Sequence, residues 1–163
     1  MRPVPSSPVR RLVPIALLPL ALAACGSGSS KGTTTTTAMS AADFVKAGNQ
    51  VCIASDRRIF KIGRLSRDPS GWKRTAESAK QAVRDMRRVT PPATSAAGFN
   101  QMLRFANALA LTIQEIHQAL LKNDVDTAAA GQLAAGQLQD KVHRAARQVG
   151  LTFCQQALTN WPA

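Results

Sequence analysis

The chain has no tyrosine, and only two tryptophans and five phenylalanines among its 163 residues. Stacking platforms for bases are scarce, so nucleic acid is not an expected partner despite the basic composition. There are only two histidines, His117 and His143, and neither sits in a Glu-x-x-His, His-Glu-x-x-His or Cys-x-x-Cys-His pattern. Covalent haem, a carboxylate-bridged metal pair and a zinc protease site therefore lack their ligands. The glycine loop that cradles phosphates is missing too. No catalytic residue, metal or cofactor is expected from these patterns. Sustained period-two alternation is absent, which removes the usual basis for strands. The apolar run from Leu12 to Leu22 is shorter than the ~20 residues a spanning helix needs.

That run has a different meaning beside its flanks. Arg2, Arg10 and Arg11 precede it, Pro14 and Pro19 interrupt it, and small residues close it, which is the layout of a secretory signal. The closing stretch Leu22-Ala23-Ala24-Cys25 resembles the lipobox of bacterial lipoproteins. The resemblance implies that residues 1–24 are removed and that Cys25 carries a diacylglyceryl group. Anchoring by two chains is stable where one is marginal, so the expected location is extracytoplasmic, on the cell membrane. From Gly26 to Thr37 the chain is Gly, Ser, Thr and one Lys, a composition that cannot build a core. Residues 25–39 are thus expected to be a flexible tether, with an r.m.s. span of about 20 Å.

Carboxylates are also few: nine Asp and Glu face 21 Lys and Arg, a formal net charge of +12. Without the three arginines of residues 1–24 the net charge is still +9. Such an excess favours an anionic lipid, an envelope polyanion or an acidic protein as partner.

Residues 40–163 read as one all-α domain. Ser40 with Asp43 makes a variant capping box for a first helix expected over residues 41 to 66, whose apolar arc holds Phe44, Val51, Cys52, Ser55, Ile59 and Ile62. Asp68-Pro69-Ser70-Gly71 reads as a turn, and a second helix as Trp72 to Val89, ended by Thr90-Pro91-Pro92. Phe99, Met102, Ala106, Leu109, Ile113, Ile116 and Leu120 recur in steps of three and four, the seam of a third helix. A fourth is expected from near Thr127, capped by Asp124 or Asp126. It would turn Leu133, Leu138, Val142, Ala146, Val149, Phe153 and Ala157 inward and pass through Gly150 with a kink. Short connections between four helices predict an antiparallel up-down-up-down four-helix bundle.

With Cys25 lipidated, Cys52 and Cys154 remain as an even pair in an oxidising setting, and a disulfide is the expectation. The topology permits it if the last helix runs down beside the first. His117 is expected to be partly buried and hydrogen-bonded. His143 points away from its own apolar arc.

Most of the positive charge falls on the first two helices. Arg57, Lys61, Arg64, Lys80, Arg84, Arg87 and Arg88 form the candidate surface for an anionic partner, with Ile53 and Phe60 an apolar pair one heptad apart among them. The leading expectation is a lipid-anchored, non-enzymatic binding or adaptor module of the cell envelope. The alternative is a carrier that holds a small apolar or anionic ligand between its helices, with Phe99, Leu109 and Ile113 as first candidates for the lining. The mature domain is similar to small helical two-cysteine lipoproteins of actinobacteria, a likeness of architecture that carries no activity with it.

Overall fold

Ser40 starts the first helix as its chemistry requires. The Asp43 N–H donates to Ser40 Oγ at 3.1 Å and the Ser40 hydroxyl donates to the Asp43 carboxylate at 2.7 Å, satisfying a free donor of the first turn. The computed structural model describes residues 39–63 and 68–156, and every regular element among them is helical: α1 (Ala41–Ile62), α2 (Pro69–Met86), α3 (Ala93–Leu121), α4 (Val125–Gln148) and the short α5 (Thr152–Gln156). The four long helices pack as the expected bundle, and a disulfide joins Cys52 to Cys154, with Cα atoms 5.0 Å apart.

Several boundaries differ from the sequence expectation, each for a local reason. α1 stops at Ile62, not 66, because Gly63 takes φ 77°, a left-handed conformation that suits glycine. Asp68-Pro69-Ser70-Gly71 is not a turn before α2 but its cap and first turn: Asp68 accepts from Ser70 N and Pro69 opens the helix, where its missing N–H costs nothing. α2 ends at Met86 rather than Val89, and Pro92 becomes the cap residue of α3. α4 starts at Val125, two residues early, with Asp124 accepting from Thr127 N at 3.0 Å.

The largest correction lies at Gly150. The last helix does not continue through it. Gly150 has φ 79°, the Leu151 N–H donates to Ala146 O at 2.9 Å and the Gly150 N–H to Arg147 O at 3.1 Å, a left-handed helix stop of the Schellman type. The same stop closes α3, where Asn123 has φ 56° and Asp124 N–H donates to Ala119 O. Because the chain turns at Gly150, the helical phase is reset, and Phe153 is 48% exposed instead of buried. Leu133, also expected inside, is 74% exposed; at that level α4 turns Ala128 and Ala135 to the core. Ala157 lies outside the described residues.

Packing follows from residue size. α3 and α4 pair most extensively, followed by α2 with α3. A Cβ on Gly131 would stand 2.6 Å from Ile116 Cγ1, so its absence is what lets α4 approach α3 so closely. One core cluster is centred on Phe44, Phe99, Met102, Ala146 and Leu151. The other is centred on Trp72, Leu109, Ile113 and Ile116 and takes nothing from α1. Both are built from residues between Met39 and Cys154, so this unit carries its own core.

The first half of α1 inserts its largest core side chain. Phe44 packs edge-on against Phe99 with ring centroids 5.2 Å apart, and Gly48 admits Leu151, whose Cδ2 would be 2.6 Å from a Cβ there. α1 approaches α2 and α5, but none of its Cα atoms comes within 8 Å of one in α4. The expected flank of the last helix against the first is supplied instead by α5, reached through the break at Gly150.

Candidate functional site

Two features stand out on the α1–α2 hairpin, a cluster of guanidinium groups on its seam and an apolar cavity beneath it. The first is built around Asp85. Its carboxylate lies 3.6 Å from Arg58 Nη2 of α1 and 4.0 Å from Arg88 Nη1, and accepts from Gln81 Nε2 at 2.7 Å. Gln81 in turn accepts from Arg84 through Nε at 3.2 Å and Nη2 at 2.5 Å. Two guanidinium groups are therefore paired with one carboxylate, and a third is linked to it only through Gln81. The Arg58 side chain is 36% exposed, yet its Nε and Nη2 atoms are buried and make no hydrogen bond. Its contact with Asp85 is an ion pair longer than a hydrogen bond.

The structure distributes the sequence-selected cations unevenly. Arg57 and Lys61 are exposed on the second half of α1, on either side of Phe60, which is 79% exposed. Ile53, read as its apolar partner, is half-buried. Arg84 and Arg88 are exposed and join the Asp85 cluster. Arg87 is exposed and shares a shallow groove with Asn100 and Arg104 of α3. Lys80 departs from the expected surface: half-buried, its Nζ donates to Gln114 Oε1 of α3 at 2.5 Å. Arg64 and Cys25 lie outside the described residues. Arg58 was not among the selected cations, and its position in the sequence held the clue, since it lies three residues after Ser55 at the edge of the apolar arc.

The cavity has a volume of about 90 Å³ and is open on one side. It forms where the two core clusters meet, because the residues facing each other there are small: Ser55, Ala79, Ala82 and Ala106. Ile59, Leu109 and Ile113 supply longer walls, and the disulfide sulfurs belong to Cys52 and Cys154 in the same lining. Ser55 is the sole polar side chain among the lining residues. Leu109 and Ile113 are where the carrier reading put them. Phe99 is not, being packed against Phe44.

The two histidines do not converge. His117 is half-buried on α3, but its Nδ1 makes no hydrogen bond, contrary to expectation. His143 is half-buried on α4, not turned clear of the core, and its Nε2 is buried without a partner. Burial pushes its pKa below the ordinary 6.5, Asp140 works in the opposite direction, and Arg147 adds to the lowering. The native state thus holds His143 neutral while the unfolded chain protonates first. Stability from this group is present above pH 6.5 and falls as the pH drops from there towards the lower native pKa. His143→Gln should flatten that part of the profile, measured as urea midpoints at pH 7.5 and 5.5; an unchanged slope would exclude the assignment.

Among the described residues no three His, Cys, Asp or Glu side chains are placed to hold a metal ion, and no helix is long and apolar enough to cross a membrane. No protein-family model matches the chain, and neither the curated proteins nor the solved structures yield a match.

Proposed function

We propose that this protein is a lipid-anchored, non-enzymatic helical binding module of the cell envelope, held to the membrane through Cys25 and presenting its α1–α2 hairpin to an anionic partner. The observation that carries the reading is the pairing of Arg58 and Arg88 with a single carboxylate, with Arg57, Lys61 and Arg84 exposed on the same hairpin. One carboxylate offsets one of these charges. The remaining field attracts anionic lipid, an envelope polyanion or an acidic protein, and its reach shrinks to about 8 Å at physiological salt. Contact must therefore be close.

In the chain from Gly26 onward, which lacks the anchoring cysteine, reversal of Arg57, Lys61, Arg84 and Arg88 to glutamate should abolish a salt-sensitive association with isolated envelopes. Helix content, followed by circular dichroism, should be unchanged, since three of these side chains make no tertiary contact described above and Arg88 lies at the limit of ion pairing with its own neighbour. Association that persists at equal salt sensitivity would reject the electrostatic reading.

A further inference from the structure

We infer that the outward face of α1 docks on an anionic bilayer, with the Phe60 ring seated at the boundary of headgroups and acyl chains and Lys46, Arg57 and Lys61 against lipid phosphates. This rests on the anionic-partner reading above and commits to one of its partner classes, the lipid surface.

Helix geometry defines the face. Lys46, Ile53, Ala54, Arg57, Phe60 and Lys61 fall within an arc of about 120° at ~100° per residue, and the buried Phe44, Gly48 and Ser55 lie on the opposite side of the helix. The close backbone neighbours of α1 are α2 and α5, and neither covers this arc. Lys46, Ala54, Arg57, Phe60 and Lys61 are exposed, and Ile53 is half-buried.

At 79%, Phe60 is the most exposed large apolar side chain among the described residues. One exposed apolar side chain is ordinary, so its company decides. Leu133, exposed to 74%, lies in a stretch of α4, Thr127 to Gln139, that contains no charged residue. Phe60 instead stands one turn from Arg57 and next to Lys61. Helices lie in a membrane interface through buried apolar area together with attraction to anionic lipid, and this face offers both. α5 extends its apolar edge: the Phe153 N–H donates to Asn49 Oδ1, one turn before Ile53, and Phe153 is 48% exposed. The carboxylates of α1 near the arc are Asp56, half-buried at its rim, and Asp43, engaged by Ser40 at the helix start. The three cations outnumber them.

A polyanion would take up the cations and leave the ring in water, whereas a bilayer takes up both. The reach of the chain agrees. The fifteen residues from Cys25 to Met39 span at most about 50 Å, and Phe60 stands about 30 Å along α1 from Ser40. A lipidated Cys25 therefore allows α1 to lie flat on the membrane that anchors it.

The test uses the chain from Gly26 onward, oxidised at Cys52 and Cys154, with vesicles of phosphatidylcholine and phosphatidylglycerol in equal parts and binding followed by co-sedimentation. Saturable, salt-sensitive binding is expected, with none measurable to vesicles of phosphatidylcholine alone. Phe60→Ala should weaken it about tenfold, through apolar surface returned to water, and Arg57→Gln and Lys61→Gln about fivefold each. In Phe60→Trp, brominated acyl chains should quench the indole emission beyond the quenching seen in the parent, whose Trp72 is buried. Leu133→Ala should bind as the parent does, and circular dichroism keeps loss of fold apart from loss of binding. The inference is overturned if the mixed vesicles are not bound, if Phe60→Ala binds them as the parent does, if Phe60→Trp is quenched no more than the parent, or if Leu133→Ala weakens binding as much as Phe60→Ala. Vesicle binding that fails while charge reversal still abolishes envelope association removes the bilayer alone and leaves a polyanion or an acidic protein as the partner. Vesicle binding indifferent to salt and to the Arg57 and Lys61 substitutions rejects the charged surface, and this inference with it.

Discussion

Replacing Cys52 and Cys154 together by serine should destabilise the protein by about 4–5 kcal/mol in the chain-entropy account of a closed loop this long. In thermal unfolding this corresponds to a fall of roughly 15 °C or more for a domain of this size. The effect is large because the bridge spans 102 residues. Among the described residues, the Phe153 N–H also ties α5 to α1 by donating to Asn49 Oδ1 at 3.0 Å, and Leu151, just before α5, sits against Gly48. Without the bridge, the flank of α1 opposite α2 loses its covalent fastening. A double-serine protein that melts within about 3 °C of the oxidised parent would show that the helices hold themselves together and that the disulfide is incidental to stability.

Phe44→Ala should have a comparable cost, about 3–5 kcal/mol, from lost transfer energy and the cavity left behind. Phe44 is 1% exposed, and its edge-on contact with Phe99 adds a further share beyond burial. It is also the largest side chain that α1 inserts into the core, so the truncation weakens the attachment of the whole helix. Phe60 on the same helix provides the contrast. At 79% exposure, Phe60→Ala should change stability by no more than about 0.5 kcal/mol. Urea unfolding of the two variants separates the cases, and equal effects would contradict the placement of α1.

Much of the helical architecture was legible because it depends on neighbours three and four residues apart. Ser40 caps the helix it was expected to cap, Asp124 is the one of the two expected candidates that caps α4, and the Phe99 to Leu120 seam faces inward on α3 as its spacing requires, with Phe99, Met102, Leu109, Ile113 and Ile116 buried. The Cys52–Cys154 bridge also followed from parity and topology. Its geometry did not. The stripe from Leu138 through Phe153 runs in phase across Gly150, and a local reading cannot weigh that phase against a glycine that turns left-handed and satisfies the last carbonyls of α4. Leu133 misled for a different reason: it stands two residues from Gly131 and from Ala135, which face α3, and therefore on the opposite side of α4.

The candidate site shows the same division more sharply. The sequence alone settles that the α1–α2 hairpin is rich in cations, because charge counts need no coordinates. It cannot show which cations are already engaged. Lys80 is taken up by Gln114 across 34 residues, and Arg58 meets Asp85 across the seam. Those pairings arise from the way two helices pack. The cavity is further still from local pattern, because it is a property of five helices meeting around small side chains. What the sequence by itself determined here is which segments are helical, which face of α3 is apolar, the net charge and the cysteine pair, all set by short-range stereochemistry and composition. Only the tertiary structure decided that α5 rather than α4 flanks α1, that Arg58 is left with unmet donors, and that a gap remains beneath Ser55 and Ile59. These depend on how side-chain volumes and helix ends, distant in the chain, are reconciled in one packed core.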